Sequence, residues 1–292
     1  MIAAHLRKTV ASPVALLPDY VCNIVHRAFI MAGWQVMTYR TNEILEADWQ
    51  ELLTIIDERK VGVLVGASVF GSSALLGFLS DPSKRLQLKE RDIQVIIDVA
   101  QDIRLIDKIP TDCSGFLHAV VSFNDKSFPG AMGGGILSKT IHKYDSRPVS
   151  FRDKVKLYRW FIGKSLHSVR KSKIPSFEGY KNRYDYSSCD TYPYKIEPLQ
   201  PIKLQLVLGI IGIYSLPYYQ IRKKKVIKYG LHLKTTYSET SAYLVISDKK
   251  ACLDQLVRGR KVKYPYATEH DPNVSLRPHD VILHNKGFLD EC

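Results

Sequence analysis

Short apolar runs recur through the first half of the chain, each bounded by polar, glycine or proline positions. Val14-Ala-Leu-Leu17, Trp34 to Tyr39, Val61-Gly-Val-Leu-Val65, Ile93-Gln-Val-Ile-Ile97, Phe116-Leu-His-Ala-Val-Val121 and Gly135-Ile-Leu137 read as strands. Between them lie amphipathic stretches that read as helices: Asp19 to Ala32, ended by Gly33; Asp48 to Arg59, with Asp48 as N-cap; and a short one over Ser72 to Leu79. Strands that are apolar throughout, rather than alternating, are buried on both faces, and strand-helix-strand order implies parallel pairing. The pattern predicts an α/β protein whose mostly parallel sheet is flanked by helices on both sides.

The second half reads differently. Residues 150 to 171 look helical and basic, and 172 to 201 are rich in Tyr, Ser and Pro, the composition of an irregular connection. A long helix is predicted from Lys203 to Leu233, bent at Pro217, and a smaller α+β unit from near Tyr237, with Ser241 to Ile246 as one strand. The domain expectation is therefore a large domain over 1–200, followed by a connecting helix and a small C-terminal domain over 201–292. Leu204 to Tyr219 is almost wholly apolar and precedes Ile221-Arg-Lys-Lys-Lys225. It falls short of the roughly 20 residues a spanning helix needs. A buried or interface helix is expected there, with peripheral contact to an anionic membrane left open by the basic flank.

Composition narrows the partners. The chain has 292 residues, 45% of them hydrophobic, enough for one large and one small domain. Its 42 Lys and Arg outnumber 29 Asp and Glu, giving a formal charge of +13 that draws anionic partners. Nucleotide-linked substrates, nucleic acid or an acidic membrane face would each answer to that charge, which does not choose among them, although no nucleic-acid recognition motif accompanies it. Five scattered cysteines without a Cys-x-x-Cys pair suggest neither a disulfide framework nor zinc. The N-terminus carries no long apolar run with a small-residue cleavage site, and a cytoplasmic location is expected. No histidine spacing suggests a metal.

The chemistry concentrates where two predicted neighbouring strands end, at Asp98-Val99-Ala100-Gln101 and Ser122-Phe123-Asn124-Asp125-Lys126. In open α/β sheets ligands bind beyond the carboxyl ends of the strands. Asp98 closes an apolar strand, so its ionised form needs a cationic or hydrogen-bonding partner, either a ligand or the following turn. A protonated pyridine nitrogen would be such a partner. Gln101 could hydrogen-bond a ring oxygen, and small Ala100 leaves room for a flat ring. Lys126 could hold an aldehyde, with Ser122 offering a hydroxyl to a phosphate; the alternative for Lys126 is a solvated surface residue. Gly130-Ala-Met-Gly-Gly-Gly135 permits close backbone approach or forms a flexible turn. A carboxylate and an amine at opposite ends of one small heterocycle are what pyridoxal phosphate (PLP) chemistry requires.

The order of an apolar strand ending in Asp-x-Ala-Gln, then Ser-Phe and a lysine, then Gly133-Gly134, resembles the DegT/DnrJ/StrS family of PLP-dependent sugar aminotransferases. Leu16-Leu-Pro-Asp-Tyr-Val-Cys22 with Ala32-Gly33 is similar to the family's early strand-helix unit, and Val69-Phe70-Gly71 to its mid-domain strand end. Gln205-Leu-Val-Leu-Gly209 with Arg222 resembles the helix joining its two domains. The resemblance implies the type I aminotransferase fold with an N-terminally shortened large domain. It implies Lys126 as the Schiff-base lysine, Asp98 at the pyridine nitrogen, Gln101 at the ring oxygen, Ser122 at the phosphate, and Cys22 near the position covering the ring face. For Cys22 a small apolar role at a helix start stays open.

Three departures from the family pattern stand in the sequence, one being that the last ~50 residues match it poorly. The lysine follows the serine by four residues where five is usual, and few residues precede the Leu16-Leu-Pro18 strand, where the family carries a Gly-Thr phosphate-binding turn. Gly71-Ser72-Ser73 is a substitute anion site or an ordinary serine N-cap. The function the resemblance implies is amino transfer from glutamate to a nucleotide-linked keto-sugar in polysaccharide or lipopolysaccharide synthesis, by a homodimer. The rival expectation is a catalytically inactive protein of the same fold that binds a partner in glycan assembly.

Overall fold

The computed structural model describes residues 2–42, 45–69, 72–73, 75–113, 115–122, 134–138, 148–152, 154–155, 158, 204, 207, 243–246 and 281–284. The chain divides into two compact units, one of Ile2–His142 with Val207–Cys292 and the other of Lys143–Leu206. In the second unit the described residues are few; they include a helical piece beginning at Phe151, where the Lys154 amide donates to the Ser150 carbonyl. The predicted helices over 150–171 and 203–233, and the connection over 172–201, lie almost wholly outside the described residues.

The first unit is built on six strands: β1 Val14–Pro18, β2 Gln35–Tyr39, β3 Val63–Ala67, β4 Gln94–Asp98, β5 Leu117–Ser122 and β6 Gly134–Leu137. Their order across the sheet is β2-β1-β3-β4-β5-β6. The first five are parallel and β6 runs antiparallel to β5. Every residue of β1 and β3 is buried, as expected of central parallel strands covered on both faces. A separate antiparallel pair, β7 Tyr243–Ile246 and β8 Val281–His284, contains the predicted strand ending at Ile246.

Alternation along the strands sorts the core into two layers. Leu16, Leu64, Val95, Ile97 and Val121 pack with α3 (Trp49–Arg59), α4 (Leu76–Leu79) and α5 (Pro82–Glu90) on one face. Ala15, Leu17, Val63, Val65 and Ile96 pack with α1 (Ile2–Thr9) and α2 (Asn23–Met31) on the other. Trp34 ties α1 down: its indole N–H donates to the Ala3 carbonyl at 2.8 Å, and Phe29 meets its ring edge-on.

Local signals explain the helix limits. Asp48 caps α3, its carboxylate accepting the Glu51 amide at 2.9 Å, and Lys60 ends the helix in the left-handed conformation. Gly33, at φ +80, stops the chain after α2. The helix starts at Asn23 rather than Asp19, because Asp19 remains tied to the sheet edge: its amide donates to the Tyr39 carbonyl, and its Oδ1 accepts both the amide and the hydroxyl of Thr41. Likewise α4 begins at Leu76 instead of Ser72. Leu75 stands at φ 71 and breaks the helical run, while the Ser72 hydroxyl turns back to the Ala67 carbonyl at 3.0 Å.

His118 on β5 links three strands, near the amino ends of β4 and β5 and the carboxyl end of antiparallel β6. Its Nδ1 lies 2.8 Å from the Ser138 hydroxyl, just beyond β6, and its Nε2 lies 3.0 Å from Gln94 Oε1 on β4. Gln94 Oε1 only accepts, so Nε2 carries the proton and Nδ1 accepts from Ser138. Burial, followed by the neighbouring His5, pushes the His118 pKa down from 6.5 to about 4. It is therefore a neutral structural tie at ordinary pH.

Candidate active site

Parallel strands put their carboxyl ends on one edge, and the sequence-predicted residues gather there. Ala67 of β3, Asp98 of β4 and Val120 of β5 are successive register partners. Ser122 ends β5 two residues beyond Val120 and pairs with Gly134 of β6. Ile96 and Val120 both pack on the α1–α2 face, so alternation places Asp98 and Ser122 on that same face.

Asp98 is half-buried, and its Oδ1 accepts the Ala100 amide at 2.8 Å, which folds the turn after β4 around the carboxylate. The capping role foreseen for this aspartate is thus present, and it occupies Oδ1. Ala100 is half-buried and Gln101 is buried at 6% exposure. The Val99 amide continues the sheet by donating to the Val120 carbonyl at 2.9 Å. Asp98, Ala100, Gln101 and Ser122 therefore occupy two adjacent strand ends.

Cys22 lies on the same edge, in the turn between β1 and α2. It is half-buried, stands at the N-cap of α2, and makes no side-chain cap hydrogen bond. Strand β3 separates β1 from β4, so Cys22 sits two strands away from Asp98. Lys126 and Gly130 to Gly133 fall in 123–133, outside the described residues. Of the predicted substitute anion turn, Ser72 and Ser73 are buried, Ser72 with its hydroxyl spent on Ala67; Gly71 is outside the described residues.

Two residues on this edge were not singled out from the sequence. Asp19, buried after β1, lies near Tyr39, whose hydroxyl donates to the Val65 carbonyl at 3.0 Å. Burial, with Asp19 second, raises the Tyr39 pKa far above its ordinary value and keeps the phenol neutral. Ser68 follows directly on β3, and its amide donates to the Asp98 carbonyl at 2.9 Å. Its hydroxyl is buried with no hydrogen-bond partner among the described residues. The only signal in the sequence is a serine closing an apolar strand, which is too common to single out a residue.

The strand order contains a reversal. From β1 the chain steps outward to β2, then returns to β1's other side for β3, β4 and β5. Such a reversal opens a crevice at the carboxyl edge, which is where open α/β sheets bind ligands. Cys22 and Ser68 border it, and Asp98 stands one strand further along.

No family model matches the sequence, and no curated protein matches it. Solved structures do match the fold. A DegT DnrJ EryC1 StrS aminotransferase from Brucella abortus is 12% identical at a TM-score of 0.55, over 97% of this chain and 78% of that one. PseC of Helicobacter pylori, an aminotransferase involved in the biosynthesis of pseudoaminic acid, is 11% identical at 0.57, over 99% of this chain and 80% of that one. A PLP-dependent aminotransferase from Bacillus cereus is 14% identical at 0.50, over 88% of this chain and 66% of that one. This chain thus spans about two thirds to four fifths of the length of these structures. It has the fold of the PLP-dependent aminotransferases, as the motif resemblance implied, and a DegT DnrJ EryC1 StrS aminotransferase is among its structural neighbours.

Proposed function

We infer that this protein is a PLP-dependent aminotransferase that moves an amino group from glutamate to a nucleotide-linked keto-sugar. The observation that carries the reading is the juxtaposition of Asp98 and Ser122 on one face of adjacent strand ends, with Gln101 buried beside them, in a sheet of aminotransferase fold.

The donor set fits the cofactor. Asp98 accepts the Ala100 amide, which holds its carboxylate at the strand end, and a carboxylate there would hold a proton on a pyridine nitrogen. Gln101 would donate its amide to the ring oxygen and Ser122 its hydroxyl to the phosphate. Lys126, assigned by the motif, would hold the aldehyde and carry a proton to and from the substrate carbon. When bound, the cofactor supplies an electron sink for the substrate carbanion. The chain's own part is to fix the ring's protonation and orientation. Basic runs such as Arg222-Lys-Lys-Lys225 and Arg258-Gly-Arg-Lys261 supply positive charge for a substrate diphosphate. The same reading carries a homodimer and a place in polysaccharide or lipopolysaccharide synthesis. Among the described residues, no helix is long and apolar enough to cross a membrane.

The test is spectroscopic. Purified protein mixed with PLP should turn yellow, lose the colour on borohydride treatment, and fail to colour as Lys126→Ala. A wild-type protein that takes up no cofactor would instead support a binding role for the fold in glycan assembly.

A further inference from the structure

Tyr39 stands where β1 and β3 part. β1 meets β2 over five register pairs and β3 meets β4 over five, but β1 and β3 share only two, Ala15 with Val63 and Leu16 with Leu64. Beyond these, β1 runs on to Pro18 and β3 to Ala67 without further register partners in each other, so the crevice begins inside the sheet. Tyr39 spans it. Its carbonyl accepts the Asp19 amide at 2.9 Å, at the end of β1, and its hydroxyl donates to the Val65 carbonyl at 3.0 Å, on β3. The side chain crosses β1 to do so, since Tyr39 belongs to β2 and is the register partner of Pro18. A buried carbonyl needs a donor, and here a side chain supplies what a neighbouring strand would. Two residues on, the Ala67 carbonyl likewise takes the Ser72 hydroxyl.

Each bank of the crevice leads to the candidate site. The β1 bank continues through Asp19, whose Oδ1 accepts both the amide and the hydroxyl of Thr41, to Cys22. The β3 bank is fixed to β4: Ala67 is the register partner of Asp98, and the Ser68 amide donates to the Asp98 carbonyl at 2.9 Å. Tyr39 itself packs with Leu16 and Leu64 in the α3–α5 layer, on the other face of the sheet from the Asp98 carboxylate, so it acts through the backbone rather than by contact with a cofactor. Burial, with the Asp19 charge second, keeps the phenol protonated, so its hydroxyl remains a donor across the ordinary pH range. We propose that Tyr39 is a positioning residue: it holds the carboxyl ends of β1 and β3 at one separation, and thereby sets the span between the turn at Cys22 and Asp98 across which pyridoxal phosphate binds. The proposal rests on the aminotransferase reading.

The test uses the full chain as wild type, Tyr39→Phe, Thr41→Val and Arg91→Ala, freed of cofactor and titrated with PLP at a temperature where all are folded. Tyr39→Phe releases the β3 bank, and Thr41→Val loosens the β1 bank. Arg91→Ala serves as a destabilised control: just before β4, at the amino edge, it removes the ion pair with Asp57 and the bond to the Gln87 carbonyl. Tyr39→Phe and Arg91→Ala should each melt roughly 2–4 °C below the wild type. Only Tyr39→Phe and Thr41→Val should bind PLP more weakly, by about three- to tenfold, the scale of one hydrogen bond. Wild-type affinity in Tyr39→Phe overturns the proposal and leaves the aminotransferase reading intact. An equal loss of affinity in Arg91→Ala does the same, since the effect would then be general loosening. Should Tyr39→Phe fail to fold, Thr41→Val decides in its place: weaker binding upholds the fixed separation, and unchanged binding overturns it. A wild type that binds no PLP overturns both.

Discussion

Asp98 and Ser122 stand on one face of neighbouring parallel strands, with Ser122 two residues beyond Asp98's register partner Val120. A carboxylate and a hydroxyl in that relation can address two points of one small ring. Asp98→Asn retains an acceptor for the Ala100 amide but removes the charge. It is expected to keep the fold and to weaken PLP binding roughly 10- to 100-fold, the range for a charge-assisted hydrogen bond. Spectral titration of the purified variant checks it, and unchanged affinity would detach Asp98 from the cofactor.

His118 makes the protein sensitive to acid. Its folded pKa, about 4, lies below the 6.5 of the free side chain, so the unfolded chain takes up the proton first. The stabilisation is complete above pH 6.5, falls as the pH drops toward 4, and changes no further below that. The loss from this residue is on the order of 3 kcal/mol at most. Urea unfolding at a series of pH values should show a slope in this window that flattens in His118→Gln. The same slope in the variant would assign the acid sensitivity to other groups.

Gly134 has no room for a side chain. A Cβ placed there would be driven into the Val121 carbonyl oxygen, which is backbone and cannot swing away. Gly134→Ala should therefore disturb the pairing of β6 with β5 and destabilise the protein by about 1–3 kcal/mol. Because Gly134 pairs with Ser122, the substitution should also weaken PLP binding. Chemical denaturation and the spectral titration read the two effects separately.

Asp48→Ala removes the carboxylate that accepts the Glu51 amide at the start of α3. The cap is exposed and follows β2, the edge strand, from which β1 and β3 separate β4, so stability alone should change, by about 1 kcal/mol. Cofactor affinity at a temperature where both proteins are folded should match the wild type. A change in affinity would mean that α3 communicates with the site.

Much of the sheet could be read from residue patterns because burial on both faces leaves an unmistakable trace. Val63-Leu-Val65 and Val95-Ile-Ile97 carry no polar interruption, and each became a central strand. Strand direction was harder. Nothing in Gly135-Ile-Leu137 itself marks a direction, and β6 is the antiparallel member of a mostly parallel sheet; only eleven residues connect it to β5, and parallel return needs a crossover of a dozen or more. Helix α5 escaped notice because Pro82-Ser-Lys-Arg-Leu-Gln-Leu-Lys-Glu90 buries little beyond Leu88, leaving scarcely any apolar stripe. Ile2 to Thr9, a helix pinned by Trp34, passed as a mere beginning for the same reason of shortness.

The site divided along similar lines. Asp98, Gln101 and Ser122 were legible because each closes or follows an apolar run and their types suit one cofactor. The buried hydroxyl of Ser68 on the opposite face of β3, unpaired among the described residues, was not, since sequence records residues rather than the bonds they fail to make. The start of α2 shows the same limit: Asp19 looks like a helix opener until its bonds to Thr41 are seen.

The reversal between β1 and β3 has a consequence for how binding competence arises. The crevice has walls drawn from residues near 20, near 68 and near 98, and the Ser122 hydroxyl lies beyond them along the chain. Affinity therefore cannot emerge piecemeal during synthesis, nor reside in any fragment that stops short of the fifth strand. A captured ligand would clamp distant stretches of polypeptide together, so its stabilising effect should be felt by the whole sheet at once.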